Sequence, residues 1–269
     1  MVSMRKTAAA LALAVALPAA VRANPETTPQ ILYGANTLKA GELELGIWRF
    51  DVGATDNFTL GTLPLFWIAR LKNLEVKYRV YSWDESSIAL SAGALWVNAQ
   101  DWDKSKPDAT FYMIPLQLAY TRRMDLADLL HVALSYTATG IKGSFGDEDT
   151  ALNGVAVVDT LVLNPTWERR ISESFSILLD ANMLLAERAR ANPAVTTKLG
   201  DYDSVDMHVS GKADLKAGFK GNVVASAFWS WDTFNLRVGL GYGHLEAPVA
   251  HIFADKPSLV PDFDFYWRF

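Results

Sequence analysis

Apolar and polar residues alternate along most of the chain with a period of two. Leu74, Val76, Tyr78 and Val80 are interleaved with Glu75, Lys77, Arg79 and Tyr81, and Leu43, Leu45 and Ile47 with Glu42 and Glu44. Tyr112, Ile114, Leu116, Leu118 and Tyr120 stand opposite Met113, Pro115, Gln117 and Ala119. The same division separates Leu130, Val132, Leu134 and Tyr136 from His131, Ser135 and Thr137, and Phe175, Ile177, Leu179, Ala181, Met183 and Leu185 from Ser176, Asp180 and Asn182. Leu236, Val238, Leu240 and Tyr242 oppose Arg237, Gly239, Gly241 and Gly243. At the end, Phe263, Phe265, Trp267 and Phe269 face away from Asp264, Tyr266 and Arg268. Successive strand side chains point to opposite faces, so each segment predicts a strand with one oily and one wet face. Helical periodicity is nearly absent outside the amino-terminal apolar run.

A soluble sandwich could bury the oily faces, but four aromatics leading to a free carboxylate would then set a charge beside the core. Solvation by lipid removes the conflict. Tyr112 and Tyr120 lie about 26 Å apart along a strand, which a tilt of about 40° brings near the height of an outer-membrane apolar band. Short connections at 53–57, 84–87, 124–128, 172–174 and 232–235 alternate with longer ones at 99–109, 142–154, 190–218 and 247–259, and a brief one lies near 70–73. With no water in a bilayer, only closure satisfies every backbone group of a spanning sheet. The expectation is an all-β, closed antiparallel transmembrane barrel of about twelve strands, with ten or fourteen as the limits. Parity makes 41–52 one strand and requires a further strand at 30–38.

The first residues change the cellular picture. Arg5 and Lys6 precede an apolar run that ends at a small-residue Val21-Arg22-Ala23 pattern, which predicts a signal peptide over 1–23 and a barrel domain over 24–269. The run is shorter than the roughly 20 residues of a spanning helix. There is no cysteine, so disulfides and Cys-ligated metals are excluded. The 25 Lys and Arg against 30 Asp and Glu give a net charge of −5, and loss of Arg5, Lys6 and Arg22 with the leader would bring it to −8. That balance argues against a nucleic-acid partner.

The alternating aromatics Phe263, Phe265, Trp267 and Phe269 resemble the carboxy-terminal signature of bacterial outer-membrane β-barrel proteins, with a departure at Pro261. The resemblance implies a Gram-negative outer membrane, contact with its lipid, and recognition of these four residues by the barrel-insertion machinery. The stretch from Asn36 to Trp67 is similar to the start of barrel families described as outer-membrane transporters. This covers two or three strands and points to fold rather than substrate.

If lipid meets the oily faces, the wet faces line the interior. Its expected lining is Glu42, Glu44, Glu75, Lys77, Arg79, Gln117, His131, Asp180, Asn182, Arg237, Asp262, Asp264 and Arg268. Both signs are present, which suits a hydrated passage for small polar solutes or, equally, an interior closed by ion pairs. His131 reads as a solvated interior histidine. Gly239, Gly241 and Gly243 leave space or let neighbouring backbone approach.

A different class of function is a non-conducting scaffold in a trans-envelope assembly for motility, secretion or polysaccharide export, with other envelope proteins docked on 190–218 and the acidic loops. A minor alternative is a lipid hydrolase. His208 and Ser210 share a strand face, as a base and nucleophile require, with Asp203, Asp206 or Asp214 to orient the histidine. On balance no catalytic residue is assigned. The acids Asp101, Asp103 and Asp108 and the run Asp147-Glu148-Asp149 lack calcium-loop spacing, so neither a metal nor another cofactor is expected.

Overall fold

The structure is a computed structural model that describes residues 34–101, 108–146, 150–199, 203–208, 211–214, 220–244 and 256–269. Its strands are β1 (Leu43–Gly46), β2 (Phe50–Thr55), β3 (Phe58–Thr62), β4 (Lys72–Trp83), β5 (Ser86–Asn98), β6 (Ala109–Arg123), β7 (Asp128–Gly146), β8 (Thr150–Ser172), β9 (Phe175–Leu199), β10 (Asp203–His208), β11 (Gly211–Asp214), β12 (Lys220–Ser230), β13 (Phe234–Gly243) and β14 (Ser258–Arg268). A five-residue helix, α1 (Pro64–Ile68), follows β3. No described helix is long and apolar enough to cross a membrane.

Every sheet pairing is antiparallel. β1 to β9 pair in sequence, β9 pairs with β12, and β12, β13 and β14 follow. β14 then pairs with β1 at Leu45↔Trp267, which closes a barrel of twelve staves. Closure removes the sheet edges that would otherwise template aggregation.

The burial pattern inverts that of a soluble core. Outward positions are apolar and exposed, with Leu116 at 45%, Phe263 at 48% and Leu240 at 56%, whereas the buried set is mostly polar or small. A sandwich that packs these apolar residues between two sheets is therefore overturned. Aromatic pairs cluster at the tight-turn end, where Phe175 meets Trp229 at 5.3 Å, Trp231 stacks on Phe234 at 5.5 Å, and Phe234 meets Trp267 at 5.2 Å.

The count of twelve is reached by a different route from the one expected. Residues 41–52 form two strands, because the backbone turns at 47–49 with Gly46 N donating to Arg49 O at 2.7 Å. The described part of 30–38 is not a strand; residues 34–38 pass inside the barrel instead. The loops expected at 142–154 and 190–218 are largely strand. β7 and β8 extend to Gly146 and from Thr150, while β10 and β11 continue β12 upward along the far edge of β9. Long hairpins satisfy their backbone groups by pairing, so polar composition did not make these segments loops.

Candidate functional site: the barrel interior

The inner face carries three clusters. The first stands at the β14–β1 seam, where Arg268 Nη2 donates to Glu44 Oε2 at 3.0 Å. Beside it Arg49, carried inward by the 47–49 turn, pairs with Asp51 at 3.0 Å and Glu75 at 3.3 Å. Buried charges persist only where such partners replace water.

The second cluster lies on β6, β7 and β8 at the tight-turn end. Thr121 Oγ1 accepts the backbone N–H of Ala35 at 2.8 Å and stands 2.9 Å from His131 Nδ1. His131 Nε2 lies 3.6 Å from Glu168 Oε2, and both side chains are 0% exposed. Ser176 donates to Glu168 Oε1 at 3.1 Å, and Arg170 stands 3.5 Å from the same oxygen. The Thr121 hydroxyl has two acceptor lone pairs and one hydrogen, so with one lone pair taken by Ala35 it can still either donate to Nδ1 or accept from it, according to the imidazole tautomer. His131 is thus fully buried between Thr121 and Glu168, not a solvated residue.

The third feature is a collar of uncharged groups. Gln117 Nε2 donates to Ser135 Oγ at 3.3 Å, Ser135 to Asn164 Oδ1 at 3.1 Å, Asn164 to Asn182 Oδ1 at 2.5 Å, Asn182 to Asn222 Oδ1 at 2.7 Å, and Asn222 to the His244 carbonyl at 2.9 Å. Each side chain comes from a successive stave, so the chain of amides runs around about half the inner wall. On its tight-turn side Thr166 bonds Asp180 at 2.5 Å, and Arg237 pairs with Asp262 at 3.0 Å, with Ser226 donating to Asp262 at 2.6 Å.

Residues 34–39 lie against β2–β6 at the tight-turn end of this interior. Lys77 Nζ donates to the Gly34 carbonyl at 3.1 Å, Leu38 N to Thr59 Oγ1 at 3.0 Å, and Thr37 Oγ1 to the Asp56 carbonyl at 2.7 Å. Ala35 is buried with the inward alanines Ala89, Ala119 and Ala133. Gly53 has no side chain where a Cβ would strike the Lys39 carbonyl, so β2 accepts the segment against its backbone. A polar cavity of about 440 Å³ lies on the tight-turn side, lined in part by Asn36, Asp84, Ser86, Thr121 and Arg123.

Glu44, Lys77, Asp180 and Arg268 are therefore buried within the interior networks, with Glu75, Gln117, Asn182, Arg237 and Asp262 half-buried among them. Asp264 stands across from Arg237 in the β13–β14 register. Glu42 and Arg79 sit elsewhere. Glu42 precedes the wall and accepts the Lys39 N–H at 2.9 Å, and Arg79 binds Asn57 and the Asp56 carbonyl at the rim. The glycines of β13 allow close approach rather than leave space, since a Cβ on Gly239 would meet the Ala225 carbonyl at 2.7 Å and one on Gly241 would meet Val224 Cγ2 at 2.6 Å.

Phe263, Phe265, Trp267 and Phe269 line one face of the final segment, Phe263 and Trp267 with rings half-exposed on the outside. Sequence reasoning missed Arg49, Asp51, Thr121, Asn164, Thr166, Glu168 and Asn222. Their signal existed in β8, where Leu161, Leu163 and Trp167 alternate with Asn164, Thr166 and Glu168. Residues 1–23, where a leader is expected, Asp103, the 147–149 acids, Val209 and Ser210 lie outside the described residues, and the side chains of Asp203, Asp206, His208 and Asp214 lie outside them too.

No protein-family model matches the chain, and no curated protein sequence does. Among solved structures, CdiB from Acinetobacter baumannii is similar at 10% identity and a TM-score of 0.28, over 85% of this chain and 59% of that one. The likeness is too distant for any property of that protein to be transferred.

Proposed function

We propose that this chain is an outer-membrane β-barrel that passes small polar solutes along its interior, and that residues 34–39 gate that passage at the tight-turn end. The membrane setting is supported by the exposed apolar outer face of a closed barrel, which is costly in water and favourable in lipid. The outer-membrane assignment adds the resemblance of the last strand to the insertion signature, which also makes the insertion machinery a partner.

The observation that carries the gate is the attachment of 34–39. The described bonds hold it to Thr121, Thr59, Asp56, Lys77 and Glu42, and Asn36 in its middle lines the 440 Å³ cavity. The neutral bonds are worth about 0.5–1.5 kcal/mol net each and the Lys77 ammonium bond about 1.5–3 kcal/mol, and Ala35 and Leu38 are buried, so release needs a driving force of several kcal/mol and is rare in the unperturbed protein. The collar presents amide dipoles of neutral charge, which suits hydrogen-bonding solutes over ions of one sign.

Planar-bilayer recording of wild type and Thr121→Val tests the gate. Thr121→Val keeps the volume and removes the acceptor for Ala35. We expect rare, brief openings in the wild type and more frequent openings in the variant. Absence of unitary currents in both over a wide voltage range overturns the passage.

The second reading is the non-conducting scaffold, favoured by the full burial of His131 and Glu168. It predicts silent membranes together with periplasmic proteins recovered by cross-linking of the intact cell envelope.

A further inference from the structure

The wall of the barrel is not of even height. β1, β2 and β3 have four, six and five residues, about 13–20 Å of strand, between β14 with eleven and β4 with twelve. A spanning strand needs about 9–11 residues.

The pairing shows where wall is missing. β14 pairs with β1 over Tyr266–Arg268, and Ile47 N adds one bond to the Phe265 carbonyl at 3.2 Å. Beyond this, no described strand pairs with Ser258–Asp264 on the side away from β13. The sequence at this edge suits an edge. Pro261 has no N–H to leave unpaired, and the Phe263 carbonyl accepts the Trp48 indole N–H at 2.8 Å. The gap is framed on the outside by Leu259, Phe263 and Trp48, with Trp67 and Ile68 of α1 also exposed. Behind it stand two ion pairs, Arg237–Asp262 and Arg49–Glu75, the second shared with Asp51, with Asp264 interacting electrostatically with both arginines.

We propose that this gap is a lateral port through which a zwitterionic amphiphile enters the interior from the bilayer, its head group exchanging partners with the two ion pairs while its chain stays in lipid. Apolar rim and charges of both signs behind it match the two halves of such a molecule. An uncharged head group would leave these ion pairs without a competitor, and one of single sign would meet repulsion from the like charges among them. The proposal rests on the membrane setting above and narrows the polar solutes to those with an apolar tail.

The chain lacks cysteine, so single thiols report access directly. The protein with Val260→Cys, on the inward side of the edge, is reconstituted in phosphatidylethanolamine and phosphatidylglycerol vesicles containing a lipid with a maleimide head group. Leu259→Cys, outward at the strand end and so near head-group depth, serves as the outward reference and Ser135→Cys as the inward reference behind a full-height wall. Val260→Cys is expected to react about tenfold faster than Ser135→Cys, because lipid reaches the interior only where wall is absent. Equal rates overturn the port. An unreacted Leu259→Cys overturns the membrane setting itself, and the port with it. Dodecylphosphocholine below its micellar concentration is expected to protect Val260→Cys where dodecyl maltoside does not; equal protection overturns the head-group assignment. The bilayer currents of Thr121→Val read axial passage separately, so either conclusion can fail alone.

Discussion

Asp125 sits in the turn between β6 and β7, where its Oδ1 accepts the N–H of Ala127 at 2.7 Å and of Asp128 at 2.8 Å. Those backbone bonds hold its carboxyl below the ordinary aspartate range. Asp101 is lowered likewise, first by the Lys72 ammonium and then by the Asn98 N–H. A folded-state value below the unfolded one means the ionised turn contributes stability above the ordinary aspartate value of about 4, lost as pH falls through the depressed value. Asp125→Ala is therefore expected to unfold at lower urea than wild type at pH 7, with the difference shrinking on acidification below the ordinary carboxylate range. Urea titration followed by gel mobility measures this. A constant difference across pH would mean that the turn is held by something other than the charge.

At the scale of elements, the closure is the thin place. β1 contributes four residues to the seam with β14, and the cross-strand pair Glu44–Arg268 is its buried polar contact. Removing one partner of such a pair strands the other charge, at a cost of about 3–5 kcal/mol. Arg268→Ala should therefore lower the urea midpoint far more than Arg169→Ala, whose side chain lies half-exposed 3.9 Å from Asp128. Similar losses for both would show that the seam is not limiting.

Most staves were legible because an alternating pattern survives wherever one face meets a different solvent from the other. The split of 41–52 was legible in principle. Leu43, Leu45 and Ile47 keep one phase and Phe50 and Val52 the other, so the alternation slips at the turn. Residues 34–38 lack such a sign, because a segment surrounded by protein on all sides has no two faces to alternate between.

For the whole molecule, the outward apolar belt makes a strong claim about solvent. Leu116 lies on the outer face of β6 in register with Tyr136 and Ala92. In the proposed membrane setting, Leu116→Arg near the midplane should cost about 2–4 kcal/mol, read as a lower urea midpoint in lipid vesicles. A neutral outcome would place the residue at the water interface and shift the expected span.

The networks inside are a whole-molecule property as well. Gln117, Ser135, Asn164, Asn182 and Asn222 are spread over more than a hundred positions of sequence and meet only because the ring closes at a particular register.

The sequence by itself determined the class of fold and which face of each strand is oily, because a period of two is set by local backbone geometry and needs no knowledge of neighbours. It also determined that charges of both signs would share the wet face. Tertiary structure alone decided that His131 is sealed against Glu168, that residues 34–39 lie inside the barrel against β2–β6 and that the wall is low between β14 and β4. Those depend on strand stagger and on which distant side chains meet, and a local pattern carries no record of either.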